Sequence, residues 1–214
     1  MVVAARSPEE PLHPYAPARF EYRIWGAAFP ELPAPDPVPA SREVYLLPAA
    51  LDGVNAKIRG GTLDIKHLLG CEAGLQKWLP ALRCPLPLPA AVIERELAPA
   101  LGMAAPPLAR SSYPLEALLE EVISAWSGVR SLHLVKRRRS FEVAGARAER
   151  TRIELGAVAI ESVAIEAERF EVARRAVAEL ELERAPNLDY VAALRRLLAG
   201  EPLGSGAGDG GKLQ

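Results

Sequence analysis

Hydrophobic and polar residues alternate along several short stretches of the chain, with the period of a β-strand that has one apolar face. This pattern predicts strands at residues 19–24, 42–47, 56–60, 62–68, 131–143, 149–155 and 162–168. A weaker pattern predicts a further strand near 75–80. Four other stretches have the spacing of amphipathic helices, at residues 89–102, 114–128, 170–183 and 187–200. For the last of these we expect Asn187 as the N-cap and Gly200 just past the end.

The order of these elements indicates the fold class and the domain organisation. The strands occur in clusters with helices between them, which predicts an α+β fold with a mainly antiparallel sheet. Five prolines between residues 26 and 41 predict an extended loop there. We therefore expect a flexible arm at 1–18, one domain at 19–200 with a helical insertion at 89–128, and a disordered glycine-rich tail at 201–214.

Composition excludes several classes of function. The chain has 26 basic and 27 acidic residues and a net charge of −1, so any role for positive charge must come from local clustering. Aromatic residues make up 6%, which argues against nucleic-acid binding through base stacking. No apolar run reaches the roughly 18 residues of a membrane span, and the N-terminus lacks the apolar core of a signal peptide. A cytoplasmic protein without membrane contact is therefore expected, and self-association stays open.

The polar faces of the predicted strands consist almost entirely of charged residues, with basic ones on the middle strands. A simple interpretation is an antiparallel sheet with helices on its apolar face and water on its polar face. However, like charges that face each other across a ladder destabilise it by roughly a few tenths of a kcal/mol. Convergence of the basic residues on a polyanion and of the acidic residues on a metal ion explains this composition better. Such a sheet would close on itself with its charged face inward and its helices outside.

The run Lys136-Arg137-Arg138-Arg139 shows how this interpretation divides the charges. Because neighbouring strand residues point to opposite faces, Lys136 and Arg138 are predicted to face the interior. Arg137 and Arg139 are predicted to lie on the surface. An exposed docking patch for nucleic acid or a protein partner is the alternative interpretation of this run.

The collinear order of the charged motifs resembles that of the triphosphate tunnel metalloenzymes, the CYTH superfamily of triphosphatases and adenylyl cyclases, over residues 19–200. The family begins with an E-x-E-x-K strand, of which Glu21 is present here, whereas Arg23 replaces the second glutamate and Trp25 the lysine. The later basic and acidic motifs of the family resemble Lys57-x-Arg59, Asp64-x-Lys66, Lys136-x-Arg138, Arg152-x-Glu154 and Glu166-x-Glu168.

The resemblance implies a closed antiparallel β-barrel tunnel of about eight strands with a charged interior, covered outside by helices. It implies that a triphosphate-bearing substrate is hydrolysed with Mg²⁺ or Mn²⁺, and that Glu166 and Lys136 are catalytic. The residues that would bind the phosphate chain are Arg23, Lys57, Arg59, Lys66, Lys136, Arg138 and Arg152. The residues that would bind the metal ion are Glu21, Glu154, Glu166 and Glu168.

Arg23 in place of the second glutamate weakens the metal site that the resemblance implies, so two functions stay open. The chain is either a diverged hydrolase of inorganic triphosphate, thiamine triphosphate or a nucleoside triphosphate, or a relative that binds a polyphosphate or nucleotide-type anion without turnover.

Overall fold

Within the described residues, eight of the ten strands form a closed antiparallel barrel. The computed structural model describes residues 15–26, 29 and 36–203. The strands are β1 (Arg19–Gly26), β2 (Asp36–Pro48), β3 (Val54–Arg59), β4 (Thr62–Glu72), β5 (Leu75–Pro85), β6 (Leu88–Pro89), β7 (Ser112–Tyr113), β8 (Val129–Val143), β9 (Ala146–Leu155) and β10 (Val158–Ala167). The barrel order is β1-β10-β9-β8-β2-β3-β4-β5, while β6 and β7 pair separately. The α+β fold class and the closed barrel are confirmed.

Two-residue turns connect β3 to β4, β4 to β5, β8 to β9 and β9 to β10. Gly60 and Gly61 form the two-residue connection between β3 and β4, with φ angles of +54° and +70°. Two consecutive positive φ angles give a turn whose twist matches that of the flanking strands, and glycine adopts them without steric cost. These glycines therefore fix the register between Arg59 and Thr62.

Helical segments cover the outside of the barrel on two sides. Residues 90–100 comprise α1 (Ala90–Val92), a π-helical turn (Ile93–Leu97) and α2 (Ala98–Ala100). Residues 115–123 comprise α3 (Leu115–Ala117) and a second π-helical turn (Leu118–Ile123), and both segments pack on the outward apolar side chains of β2, β3 and β4. On the other side, α4 (Phe170–Glu179) and a 3₁₀ turn (Leu182–Arg184) pack on β1, β9 and β10.

The last helix, α5 (Tyr190–Ala199), closes one end of the barrel. Its side chains pack with Leu188 against inward residues at one end of the strands, namely Trp25, Tyr45, Leu47, Leu134 and Ile153. The chain enters beside β1, where the Leu188 amide donates to the carbonyl of Arg23 over 2.9 Å. The barrel therefore has an apolar closed end and a charged opposite end.

Some of the local predictions need correction. Asp189, not Asn187, caps α5, because its carboxylate accepts from the amides of Val191 and Ala192. Asn187 instead hydrogen-bonds the backbone of β1. Gly200 does end the helix, with a φ of +71°.

The predicted proline-rich loop is partly strand, because β2 begins at Asp36. The predicted arm and tail lie outside the described residues except for 15–18 and 201–203. Among the helices that the structure describes, none has the length and hydropathy to span a membrane.

Candidate anion-binding site

The strand register places charged side chains from most of the barrel strands inside it. Glu21 on β1 lies directly opposite Glu166 on β10, and Lys57 on β3 lies opposite Asp64 on β4. Alternate residues on each strand share the inward face. The inward-facing charged residues of the described chain include Arg19, Glu21, Arg23, Glu43, Lys57, Arg59, Asp64, Lys66, Arg83, Lys136, Arg138, Glu142, Arg147, Glu149 and Glu166.

Glu43 on β2 lies at the centre of a buried charge cluster. Its carboxylate is 3.2 Å from Lys136 Nζ and 3.7 Å from Lys57 Nζ, and it accepts a hydrogen bond from Arg138. Burial raises the pKa of Glu43, but the three cations outweigh that effect and hold the pKa far below its usual range. Glu43 therefore stays ionised and offsets part of the positive charge inside the barrel.

Lys136 is sealed beneath this cluster, next to α5. Its ammonium donates to the Tyr45 hydroxyl over 2.7 Å and lies 3.3 Å from the centre of the Tyr190 ring. None of its side chain is exposed. Burial lowers the pKa of Lys136 and Glu43 opposes that effect. This lysine holds the cluster together and has no access to a ligand.

Arg23 is sealed in the same layer. Its guanidinium donates to Glu21 and to the Ser162 hydroxyl, both over 3.0 Å, and stacks 4.2 Å from the centre of the Tyr190 ring. Arg23 thus serves as a structural partner of Glu21.

The cations at the open end of the barrel are accessible to solvent. The side chains of Arg59 and Arg147 are 41% and 53% exposed. Arg59 and Arg83 flank the Asp64 carboxylate, at 3.7 and 3.6 Å. Lys66 is half-buried and makes no ion pair in the described part of the chain. A ligand that enters from the open end would meet Arg59, Arg83 and Arg147 first.

Lys57 marks the boundary between the sealed and the open layers. Burial lowers its pKa and Glu43 opposes that effect, but the positive charges of Arg59, Lys66 and Arg138 lower it further. Like charges that depress a lysine pKa repel one another, and a bound anion would relieve that repulsion.

The structure brings together most, but not all, of the residues predicted for the site. The inward-facing ones are Glu21, Arg23, Lys57, Arg59, Lys66, Lys136, Arg138 and Glu166. Glu168 is exposed past the end of β10, where it pairs with Arg19 over 3.4 Å. The expectation that Arg152 and Glu154 face the interior is wrong, because both lie on the outer face of β9.

The predicted metal ligands do not assemble into a metal site. Within the described residues, no group of three or more histidine, cysteine or acidic side chains is placed to hold a metal ion. Glu21 is paired with Arg23, and Glu166 lies 3.8 Å from Arg147. Because a hard divalent cation needs several free oxygen ligands, these carboxylates, as paired, do not fit Mg²⁺ or Mn²⁺.

Three residues important to the interior were missed from the sequence. Glu43 and Glu149 each pair with Arg138 inside the barrel. Both lie on the inward face by strand alternation, so extending that alternation could have identified them. Tyr190 lies on a helix, and no sequence pattern indicates that its ring enters the barrel.

Comparisons with known proteins show a structural likeness at low identity. A protein from Hippeastrum, HpAC1, is provisionally named an adenylyl cyclase with a dominant triphosphatase activity. It is 12% identical with a TM-score of 0.44, over 86% of this chain and 97% of that chain. A protein from Bacillus halodurans, provisionally named an adenylate cyclase, is 11% identical with a TM-score of 0.42, over 80% of this chain and 94% of that chain. No family model and no curated protein matches the chain. Function therefore has to be argued from the residues of the barrel interior.

Proposed function

We propose that this protein binds a phosphate-chain anion, of the triphosphate class, in the open half of the barrel. The observation that carries the proposal is the crowding of Lys57 by Arg59, Lys66 and Arg138, all of which face inward. Glu43 compensates only the deeper part of this cluster, since Lys66 has no ion-pair partner in the described residues.

A chain of phosphates fits this arrangement better than a single small anion. The accessible cations lie on β3, β4 and β5 on one side and on β9 on the other, whereas Arg138 on β8 is 10% exposed. A linear ligand along the barrel could contact both sides, and arginine can bind two phosphate oxygens through parallel N–H groups. In this proposal Arg59, Lys66 and Arg138 contact the phosphates, whereas Lys136 positions Glu43 and Tyr45 beneath them.

Hydrolysis of the bound chain is the second candidate function. It is favoured by one observation, the direct opposition of Glu21 and Glu166 on inward faces of neighbouring strands. In this candidate Mg²⁺ or Mn²⁺ would supply charge neutralisation at the phosphates, and Glu166 would have to leave Arg147 to take part.

Thermal unfolding with inorganic triphosphate tests the binding proposal. Triphosphate without divalent cations is expected to raise the Tm of the wild-type protein, and Lys66→Met is expected to lose most of that rise. Arg174→Met is a matched control, because Arg174 is an exposed cation on α4, outside the barrel. No Tm rise, or an equal rise in wild type and Lys66→Met, would overturn the proposal.

Phosphate release separates the two candidates. Release that requires Mg²⁺ or Mn²⁺ and is lost in Glu166→Gln would establish hydrolysis. Stabilisation by triphosphate without release under either metal would establish binding alone.

A further inference from the structure

The outer face of β8 and β9 carries two pairs of arginines that lie directly opposite each other. Arg137 pairs in register with Arg152, and Arg139 with Arg150. These four side chains, together with the exposed Arg42 on the adjacent β2, form what we call the outer arginine patch. They point away from the barrel interior, so the proposed phosphate site does not use them.

Internal ion pairs compensate the outer arginine patch only in part. Glu154 lies 3.5 Å from Arg137 and 3.7 Å from Arg152, and Glu161 accepts from Arg150 over 2.6 Å. Arg42 and Arg139 make no ion pair in the described residues. Exposed ion pairs contribute little to stability, and like charges opposite each other oppose strand pairing. Folding therefore gives no reason for this concentration of arginine.

A groove with a volume of about 380 Å³ lies beside the patch. Its lining includes Val44, Ile58, Leu115 and Val135, with Arg42 and Glu154 at its edge. The groove lies between Leu115, the first residue of α3, and the outward face of β2, β3 and β8. It is large enough to receive an apolar side chain from a partner.

We propose that the outer arginine patch and this groove together bind an acidic, extended protein segment that carries an apolar anchor residue. Arg137 and Arg139 are separated by about 7 Å along the strand, the spacing of alternate side chains in an extended peptide. Acidic residues at alternate positions of the partner would therefore meet successive arginines, while the anchor residue enters the groove.

The same features argue against nucleic acid as the occupant. An apolar groove offers nothing to a phosphate backbone, and single-strand binders use aromatic platforms on which bases stack. Glu154 and Glu161 lie among the arginines, where they would repel a continuous line of phosphates but would leave gaps for spaced carboxylates.

Fluorescence anisotropy with a labelled peptide tests this proposal. The probe is an extended peptide with one leucine followed by three glutamates at alternate positions, and its control has glutamine in place of each glutamate. The glutamate peptide is expected to bind the wild-type protein, and its affinity is expected to fall as the salt concentration is raised. The double variant Arg139→Gln/Arg150→Gln is expected to lose at least about tenfold in affinity. Val135→Asn, which places a polar side chain in the groove without adding charge, should also weaken binding.

Two controls make the result specific to this surface. Arg174→Gln removes an exposed arginine elsewhere and should leave peptide affinity unchanged, and triphosphate should not displace the peptide. The proposal is overturned if the glutamate and glutamine peptides bind equally, if neither binds up to the limit of solubility, or if a single-stranded oligonucleotide binds the patch and the peptide does not.

Discussion

The clearest test of the buried charge cluster is the substitution Glu43→Gln. Glutamine keeps the size and most of the shape of the side chain but removes its charge. Three cations would then share the barrel interior without this carboxylate, and the side chains of Lys136, Arg138 and Lys57 are only 0%, 10% and 15% exposed. The substitution therefore isolates the contribution of one negative charge.

The expected loss of stability is large for a single polar substitution. Removing one partner of a buried ion pair costs about 3–5 kcal/mol, because the other charge stays buried without compensation. For a domain of this size that corresponds to a fall in Tm of roughly 6–20 °C. Without Glu43, burial lowers the pKa of Lys136 unopposed, so this lysine is expected to lose its proton, which would keep the loss near the lower limit.

Urea denaturation of four proteins measures this loss: the wild type, Glu43→Gln, Lys136→Met and the double variant. If the two side chains form a pair, the double variant should recover about 2 kcal/mol relative to the sum of the single losses. Glu72→Gln is the control, since Glu72 is exposed at the end of β4 and should change stability by less than about 0.5 kcal/mol. A Glu43→Gln protein as stable as the control would refute the description of the cluster.

Three further predictions concern other parts of the fold. Burial lowers the pKa of His67, so the unfolded state binds a proton more readily than the folded state. Stability should therefore fall as the pH is lowered from about 7 to 5. In thermal melts over this pH range, His67→Gln should make the fall shallower. Asp189→Ala removes the cap of α5 and should cost about 1 kcal/mol in urea denaturation, whereas Asp189→Asn should retain most of the stability. Cys71 is exposed and Cys84 is buried with a raised pKa, so a thiol reagent should modify Cys71 in the native protein and Cys84 only after unfolding.

The fold was largely predictable because strand alternation and the order of the elements are local properties of the sequence. The outward apolar face of β1, with Phe20, Tyr22 and Ile24, is as the alternation predicts, and so is the inward direction of Lys136 and Arg138. Over these residues of the two strands, each face keeps the same character, apolar or charged.

Strand β9 shows why part of the site could not be predicted. Its inward face is charged at Glu149 but becomes apolar at Ile153, where α5 fills the barrel. Its outward face is apolar at Ala148, under α4, and charged at Arg152, where no described helix covers it. The two faces exchange character along one strand, so alternation alone assigned Arg152 and Glu154 to the wrong side.

Packing between distant parts of the chain accounts for the other features of the site that the sequence did not predict. That Lys136 lies between two tyrosines depends on the entry of Tyr190 from a helix more than fifty residues later in the chain, which no local pattern specifies. Strand alternation places Glu21 and Glu166 inward but does not specify that Arg23 and Arg147 pair with them, and no three-carboxylate cluster forms in the described residues.

A crystal structure of the protein grown with inorganic triphosphate would test the central claim most directly. The account predicts a phosphate chain inside the open half of the barrel, in contact with Arg59, Lys66 and Arg138, with Glu43 still bound to Lys136 below it. Triphosphate bound only at the outer arginine patch, or an empty barrel in crystals saturated with triphosphate, would contradict the claim.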